Sequence, residues 1–185
     1  MHRMMIACTL LLAAGCSNGP ESADGNAVEP VGAGAATPAQ HLRHVPLHIV
    51  QGEGGENTQL SVEIALTPKE QELGLMHRTG LKTGEGMIFP MVPPRMPNFW
   101  MKDTPEALDL VFVQTDGSIA RIVENARPDD KTPIFAEVPV SGVLELKAGS
   151  VPALRIDQGD RINWGDCVGA PSGQPMAKAD NFCPG

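Results

Sequence analysis

The chain has 185 residues, of which 14 are Lys or Arg and 22 are Asp or Glu, so its formal net charge is -8. This acidic balance argues against a nucleic-acid-binding protein, because contacts with phosphates require a basic surface. The length suits one domain with tails, and the 20 glycines and 17 prolines favour short strands joined by turns over a helix bundle.

The first residues have the pattern of an export signal. A short positive segment, Met1-His2-Arg3, precedes an apolar run over residues 4–14 that is shorter than the about 20 residues needed to span a bilayer. The run ends in Leu12-Ala13-Ala14-Gly15-Cys16, which resembles the lipobox of bacterial lipoprotein signal peptides. We therefore predict a signal peptide over residues 1–15 and acylation of Cys16. The product is an exported lipoprotein, anchored in a membrane of the cell envelope and facing the periplasm.

One position departs from the lipobox. Leu is preferred where this chain has Ala13, and Leu12 stands one residue early. An ordinary secretory peptide that is cleaved nearby is therefore the alternative. In both cases the mature chain has crossed a membrane.

Residues 16–57 are predicted to contain the lipid site followed by a flexible linker. Ala, Gly and Pro make up 13 of the 24 residues from 17 to 40, and no periodic apolar pattern is present that could bury a face. His41, His44 and His48 follow, and on a strand the last two would share one side. We interpret these histidines as part of a solvated leader into the first strand. A metal role is the alternative.

The folded domain is predicted to occupy residues 58–164 and to consist mainly of strands. Alternating apolar side chains at Leu60, Val62, Ile64 and Leu66 indicate a first, half-buried strand. The dipeptide Asp116-Gly117 is typical of a hairpin turn. The other strands are predicted over residues 99–101, 108–113, 119–124, 142–146, 152–156 and 161–164. This pattern predicts an all-β sandwich or barrel-like fold.

One short helix is expected over residues 68–76. Thr67 can cap its first turn, Pro68 suits the first helical position, and Glu70 completes a capping box. Leu73 and Met76 are expected to face inward.

A series of motifs in the domain resembles a known family. The motifs are, in order, Gly74-Leu75-Met76-His77-Arg78, Gly86-Met87-Ile88-Phe89, Phe99-Trp100-Met101-Lys102-Asp103-Thr104, Leu108-Asp109-Leu110-Val111-Phe112-Val113, Asp116-Gly117-Ser118-Ile119, Ala126-Arg127-Pro128, Val143-Leu144-Glu145-Leu146-Lys147-Ala148-Gly149 and Gly159-Asp160. Over about residues 58–164 they resemble the domain of unknown function 192 family of bacterial and archaeal proteins, which are often exported. The departures are Asp103, where the family usually has Asn, and His77 at a variable position. The resemblance implies a compact β-sandwich of jelly-roll type. It implies no reaction, because the family has no established activity.

The four cysteines fit an exported protein. Cys8 is removed with the predicted signal peptide and Cys16 is the predicted lipid site, which leaves Cys167 and Cys183 as an even pair in an oxidising compartment. A disulfide between these two would hold in place the tail over residues 165–185, which has little apolar surface. A redox or metal pair is the alternative, although the spacing is neither Cys-x-x-Cys nor a zinc pattern.

The candidate ligand-binding residues are Arg78, Trp100, Lys102, Asp109 and Glu145, which lie within the apolar motifs. A buried carboxylate needs a partner, so we expect Asp109 to be buried, paired with Arg78 or Lys102, and near Trp100. The set indicates either a polar pocket, in a binding protein or an uncharacterised enzyme, or a structural ion pair. No order of Ser, His and Asp typical of a triad, no Gly-x-Ser-x-Gly, no phosphate loop and no His-Glu-x-x-His motif is present, and no catalytic residue is assigned.

A methionine-rich segment suggests a metal site as an alternative. Thioether and imidazole ligands select Cu(I), and the ligands in this segment would be Met76, His77, Met96 and Met101. Methionines also fill irregular hydrophobic cores, which is the competing interpretation. We therefore assign no metal and no cofactor.

Taken together, the sequence predicts a non-catalytic binding or envelope-interaction domain that an N-terminal lipid holds to a membrane. The predicted partner is a small ligand or an envelope component that binds near residues 84–96, Phe99, Trp100 and Lys102, and no nucleic acid is expected. A periplasmic Cu(I)-handling module and an uncharacterised enzyme are the two alternatives.

Overall fold

The structure, a computed structural model, describes residues 38–52, 56–167 and 176–184. The predicted signal peptide, the predicted lipid site at Cys16 and residues 17–37 of the predicted linker lie outside these ranges. None of the described helices has the length and apolar character needed to cross a bilayer.

Within these ranges the chain forms eleven strands and two short helices. In chain order they are β1 (His44–Val50), β2 (Thr58–Ile64), α1 (Pro68–Leu73), β3 (Gly86–Arg95), β4 (Asn98–Phe99), β5 (Leu108–Val113), β6 (Ile119–Ala126), β7 (Ile134–Phe135), β8 (Val140–Lys147), α2 (Ser150–Ala153), β9 (Arg161–Trp164), β10 (Met176–Lys178) and β11 (Asn181–Cys183). The prediction of an all-β domain is confirmed.

Nine strands form one mixed sheet in the order β10-β11-β9-β1-β2-β3-β8-β5-β6, and β4 pairs with β7 in a separate small sheet. All neighbours in the large sheet are antiparallel except β2 and β3, which are parallel. The strand pattern predicted a sandwich or a barrel-like fold, and the family resemblance implied a sandwich of jelly-roll type. The structure places nine strands in this one sheet.

The large sheet curls until its β6 end meets β9. A bridge pairs Ser118 with Arg161, the amide of Ile119 donates to the carbonyl of Asp160 at 2.8 Å, and the amide of Ile162 donates to the carbonyl of Gly117 at 2.8 Å. The seven strands from β9 to β6 therefore enclose a barrel-like interior.

Two hydrophobic clusters lie on the two faces of this sheet. The inner cluster contains buried side chains from all seven strands of the barrel, including Trp164 of β9. Val151 of α2 also belongs to it. The outer cluster covers β3, β5 and β8, and includes Leu75, Phe89 and Met101. Because both of their faces are covered, β5 is buried along its whole length and β8 at every position but the last.

Helix α1 forms where the capping residues predict it. The hydroxyl of Thr67 accepts from the amide of Glu70 at 3.2 Å, and the Glu70 carboxylate accepts from the Thr67 amide at 2.8 Å. The helix ends at Leu73, because Gly74 has a φ of 47° and ends the α-helical geometry. The predicted end at residue 76 is therefore wrong, and it is Leu75 after the helix, not a residue of α1, that is buried.

The strand predicted over residues 152–156 is wrong. Residues Ser150–Ala153 form α2, which begins after Gly149 with a φ of 85°. Val151 of this helix and Ile156 after it pack into the inner cluster. A short apolar run that packs into a core has the same composition in a strand and in a helical turn.

The strand predicted over residues 99–101 is also too long. Strand β4 contains Asn98–Phe99 only, and Trp100 and Met101 follow it. The strands predicted over 108–113, 119–124, 142–146 and 161–164 correspond to β5, β6, β8 and β9.

The domain begins earlier than predicted. Residues His44–Val50, which the prediction placed in the linker, form β1 between β2 and β9. Val45, Leu47 and Ile49 of this strand alternate into the inner cluster. Pro46 is tolerated because the pairing with β9 begins only at Leu47.

The C-terminal residues are fastened to the barrel. Cys167 and Cys183 form the predicted disulfide. Phe182 of β11 stacks on Trp164 with their ring centroids 4.4 Å apart, and the indole N–H of Trp164 donates to the carbonyl of Ala179 at 3.1 Å. The tail therefore covers one side of the inner cluster.

Candidate functional site

A cleft of about 210 Å³ opens on the outer face of the sheet. One wall comes from α1 and the turn after it, the base from β3 and β8, and the opposite wall from the segment around β4. The lining side chains used below are Gln71, Met76, Phe89, Met91, Arg95, Phe99, Trp100 and Glu145. Pockets that hold drug-sized ligands have volumes of about 300–1,000 Å³, so this cleft suits a small molecule or one end of a larger one.

Aromatic packing fixes the apolar wall of the cleft. The ring of Phe99 contacts that of Phe89 edge to face, with centroids 5.2 Å apart, and that of Phe112 in the same way at 6.3 Å. Phe112 is fully buried in the outer cluster. Because edge-to-face contacts with two buried rings hold the Phe99 ring, this wall is preformed.

Exposed and buried residues alternate along the segment that forms the rim of the cleft. Met96, Asn98 and Trp100 are exposed, whereas Pro97 and Met101 between and after them are buried. Trp100 is 51% exposed and lies at the mouth of the cleft. The alternation turns the indole outward, so Trp100 forms part of the rim of the cleft.

Glu145 is the buried acidic side chain that lines the cleft, and it is 5% exposed. It lies on the outer face of β8, where its register partners are Met87 of β3 and Leu110 of β5, both fully buried. No other described residue makes a hydrogen bond or an ion pair with its carboxyl group. Burial therefore raises the pKa of Glu145 to about 8.

The raised pKa determines what Glu145 can do. A carboxyl group with a pKa of about 8 is mostly protonated at neutral pH, so it carries an O–H donor as well as acceptor oxygens. A cleft with such a donor at its base can orient a ligand that presents an oxygen or nitrogen acceptor.

A second cavity, of about 380 Å³, lies beside the cleft and shares Leu75 with it. Arg78 donates to Glu63 at 2.7 Å there, and the same carboxylate oxygen accepts from the amide of Leu42 at 2.6 Å. Burial acts to raise the pKa of Glu63, but the hydrogen bonds from Arg78 and Leu42 and the positive charge of Arg78 outweigh it and lower this pKa. Glu63 is therefore ionised and paired, unlike Glu145.

Asp109 does not have the partners that we predicted. It is fully buried, but its carboxylate accepts from the amides of Asn125 and Val151, each at 3.0 Å, and not from Arg78 or Lys102. Its neighbours on β5, Leu108 and Leu110, belong to the outer cluster, so Asp109 points into the barrel, away from the cleft. The predicted ion pair is wrong, and Asp109 fastens α2 and β6 to β5.

The predicted site residues therefore lie in different parts of the structure. Trp100 and Glu145 line the cleft, whereas Arg78 lines the second cavity and Asp109 faces the barrel interior. Lys102 is half exposed and lies 3.6 Å from the carboxylate of Asp103. The pocket of the enzyme alternative, which required Arg78, Lys102 and Asp109 beside Trp100, is not formed by these residues.

Sequence reasoning did not place α1 and the turn after it at the ligand site: Gln71 was not a candidate, and Met76 was a candidate only as a copper ligand. Gln71 and Met76 line the cleft, and the Gln71 amide donates to the carbonyls of Ala65 and Pro90 at 3.1 and 2.9 Å. The capping box predicts where α1 lies in the sequence, but it does not predict that α1 packs beside Glu145.

The candidate copper ligands lie in different environments. Met101 is buried in the outer cluster together with Met87 and Met91, whereas Met96 is exposed and Met76 lines the cleft. Across the described ranges, no three or more His, Cys, Asp or Glu side chains are placed to hold a metal ion.

His77 and Asp103, the two departures from the family pattern, are connected. Both residues have a positive φ, 63° and 52°, and the amide of His77 donates to the carbonyl of Asp103 at 2.8 Å. Asn is favoured at such a φ and Asp shares much of that tolerance, so the substitution at 103 preserves this turn.

A family model matches residues 49–164 of the chain, and its description is domain of unknown function 192, Uncharacterized ACR. Among solved structures, the chain is similar to a candidate transcription regulator from Sinorhizobium meliloti 1021, with 35% sequence identity, coverage of 69% of this chain and 98% of that chain, and a TM-score of 0.64. It is also similar to a protein of unknown function from Novosphingobium aromaticivorans DSM 12444, with 42% identity, coverage of 70% and 94%, and a TM-score of 0.63. No curated protein matches the chain.

The solved relatives consist almost entirely of the matched region, since 98% and 94% of their lengths are covered. In those proteins the domain therefore folds without a counterpart of the remainder of this chain. Residues 38–185, which contain every described element, are accordingly a suitable unit for experiments.

Proposed function

The chain belongs to the domain of unknown function 192 family, and we propose that it is a non-catalytic binding protein of the cell envelope. Its ligand is a small molecule, or one end of an envelope component, with an apolar body and a hydrogen-bond acceptor. The ligand lies in the cleft between α1 and the segment around β4, and the protonated carboxyl group of Glu145 donates to its acceptor.

The observation that carries this proposal is the isolation of Glu145. A carboxyl group that is only 5% exposed and has no protein partner costs free energy, so its presence at the base of the cleft needs an explanation. A ligand acceptor that receives the carboxyl proton supplies the missing hydrogen bond. The ring of Phe99, which contacts two other rings, supplies a preformed apolar surface beside it.

The place of action is part of the same proposal. The signal-like residues 1–15 and the lipobox-like sequence that ends at Cys16 support an exported lipoprotein that faces the periplasm. The Cys167–Cys183 disulfide supports an oxidising compartment. Detergent phase partitioning tests the anchor: the mature protein should enter the detergent phase and a Cys16→Ser variant should not. Equal partitioning of the two into water would contradict the anchor.

A thermal-shift screen tests the cleft. We would screen residues 38–185 against N-acetylated sugars, cell-wall peptide fragments, short alkyl amides and metal ions including Cu(I). Ligands that raise the melting temperature of the wild-type domain should lose this effect in Glu145→Leu, which keeps the side-chain volume but removes the donor. Glu145→Gln, which keeps an N–H donor, should retain part of it, and the exposed control Glu124→Gln should retain all of it.

Three outcomes would contradict the proposal. Shifts that persist in Glu145→Leu would place the ligand elsewhere, and stabilisation by Cu(I) alone would favour the metal-handling alternative. Turnover of a stabilising compound would favour an enzyme.

A further inference from the structure

The structure leaves a strip of apolar side chains exposed beside the cleft. Met96 is 61% exposed, Trp100 51% and Phe135 50%. We call these three residues the rim strip. Scattered exposed apolar residues need no explanation, but a contiguous group at the mouth of a cleft does.

Strand pairing makes the strip contiguous. Met96, Asn98 and Trp100 share the outer face of their segment, and Phe135 of β7 is the register partner of Asn98 in β4. Side chains of directly paired residues lie on the same face of a sheet about 5 Å apart, so the Phe135 ring lies between the positions of Met96 and Trp100.

We propose that the rim strip docks on the surface of a lipid bilayer and inserts its side chains at the boundary between headgroups and acyl chains. This goes beyond the covalent lipid proposed above, because it assigns a membrane-contacting surface to the folded domain itself. The composition suits that boundary, where an indole can place its ring in the apolar layer and its N–H near water.

The entry point of the chain supports a bilayer as the partner. The described chain begins at residue 38, and the side-chain amide of Gln40 donates to the carbonyls of Glu70 and Gly74 at 2.7 and 3.1 Å. These carbonyls lie on α1 and at its end, in the wall that faces Trp100 across the cleft. An anchor at Cys16 is separated from residue 38 by a chain that cannot reach beyond about 75 Å. The tether therefore keeps the rim strip at high local concentration near the bilayer.

The charges around the strip are also compatible with lipid headgroups. Arg95 precedes Met96, Lys102 follows Trp100, and Arg121 donates to the carbonyl of Phe135. These three cations flank the strip in a chain whose net charge is -8. Glu137 and Asp103 are the neighbouring acidic residues, and Asp103 lies 3.6 Å from Lys102. We therefore expect apolar contact to dominate the binding and anionic lipid to add little.

Tryptophan fluorescence of residues 38–185 tests the proposal, because the sequence holds only two tryptophans. Trp164 is 1% exposed and serves as a constant background, whereas Trp100 reports on the strip. With phosphatidylcholine vesicles, the emission should shift to the blue, and lipids brominated on their acyl chains should quench it. Trp100→Phe should remove both signals while flotation with vesicles persists.

The double variant Met96→Ser, Phe135→Ser should lower the partition coefficient by about tenfold or more. The matched control is Val50→Ser, an exposed apolar position on β1, two strands away from β3, and it should bind vesicles like the wild type. Glu145→Leu should also bind vesicles normally, so a failure of the cleft proposal and a failure of this one remain distinguishable. Melting curves confirm that each variant folds.

Four results would overturn the proposal. The first is Trp100 emission that does not change at any lipid concentration, and the second is a double variant that binds as well as Val50→Ser. The third is binding that requires anionic lipid and disappears at high salt. The last is sedimentation of a lipid-free dimer that the double variant abolishes, which would assign the strip to a second copy of the chain.

Discussion

Glu145 and Asp109 are buried carboxyl side chains on neighbouring strands, and their surroundings give them different roles. Asp109 accepts two backbone amides at 3.0 Å, which satisfies it within the fold. Glu145 faces a cleft, and its pKa is raised to about 8 by burial. A satisfied group holds elements together, whereas a group without a partner at a cleft is available to a ligand.

The titration of Glu145 predicts a specific dependence of stability on pH. Between the ordinary pKa of 4.5 and about 8, the folded state keeps a proton that the unfolded chain has released. The free energy of unfolding should therefore fall as the pH rises through this range, by up to about 1.4 kcal/mol per pH unit. Urea unfolding at several pH values measures this slope.

Glu145→Gln is the matched comparison, because it cannot titrate and should remove this slope. Glu63 does not interfere, since its lowered pKa stabilises the folded state above the ordinary pKa and loses that effect only as the pH falls below it. Equal slopes for wild type and Glu145→Gln would mean that Glu145 is already ionised at neutral pH.

Substitutions at Asp109 should affect stability and leave the cleft intact. Asp109→Ala leaves the buried amide of Val151 and the partly buried amide of Asn125 without acceptors and should lower the free energy of unfolding by about 3 kcal/mol. Asp109→Asn should cost less, because its one carbonyl oxygen can still accept from Asn125 or Val151. Chemical denaturation measures both. An Asp109→Ala variant with wild-type stability would contradict the role of Asp109 in holding α2 and β6 to β5.

The alternation of side chains along a strand explains why the sequence identified only part of the site. Asp109 and Glu145 lie on strands that are buried on both faces, so their positions in the sequence do not show which of the two faces has a cleft. Trp100 was expected at the site, and its outward direction follows from the partly buried Phe99 before it and the buried Met101 after it. The partners of Asp109 are backbone amides, which no side-chain pattern encodes.

At the scale of elements, the sequence predicted helix starts and turns most accurately where specific side chains determine them. The capping residues correctly located the start of α1, and the Asp116-Gly117 turn separates β5 from β6. Strand β1 was overlooked although Val45, Leu47 and Ile49 alternate, because the segment with His44 and His48 was interpreted as a solvated leader into the first strand. Helix α2 was mistaken for a strand, because a segment of four residues is too short to display a period.

The capping box is a testable element, because α1 forms one wall of the cleft. Thr67→Ala removes the acceptor of the Glu70 amide and should cost about 1 kcal/mol of unfolding free energy. The melting temperature should fall by about 2–4 °C. Thr79→Ala, an exposed threonine outside α1, is the control. Equal melting temperatures for the two variants would show that the cap does not stabilise α1.

At the scale of the whole molecule, the family-like domain and the C-terminal tail have different supports. The barrel closes through its own strands, and the family match ends at residue 164. The tail beyond it relies on the disulfide and on the stacking of Phe182 on Trp164. The sequence predicted this division, because the tail lacks an apolar pattern of its own.

Removal of the disulfide should loosen the tail and leave the barrel folded. The double variant Cys167→Ser, Cys183→Ser should lose on the order of 3 kcal/mol of stability, from a closed loop of about 16 residues. Quenching of Trp164 by acrylamide should increase, because the tail that covers it is released. A variant with wild-type stability and a protected Trp164 would mean that packing alone holds the tail.

The central claim, that a ligand occupies the cleft above Glu145, is tested most directly by methionine-methyl NMR of residues 38–185. The methyl groups report on separate places: Met76 and Met91 line the cleft, Met87 and Met101 belong to the core, and Met96 lies in the rim strip. Titration with the N-acetylated sugars, cell-wall peptide fragments and alkyl amides that stabilise the domain should shift the Met76 and Met91 signals, and Glu145→Leu should abolish these shifts. Binding that moves only Met96, or that leaves Met76 and Met91 unchanged, would contradict the claim.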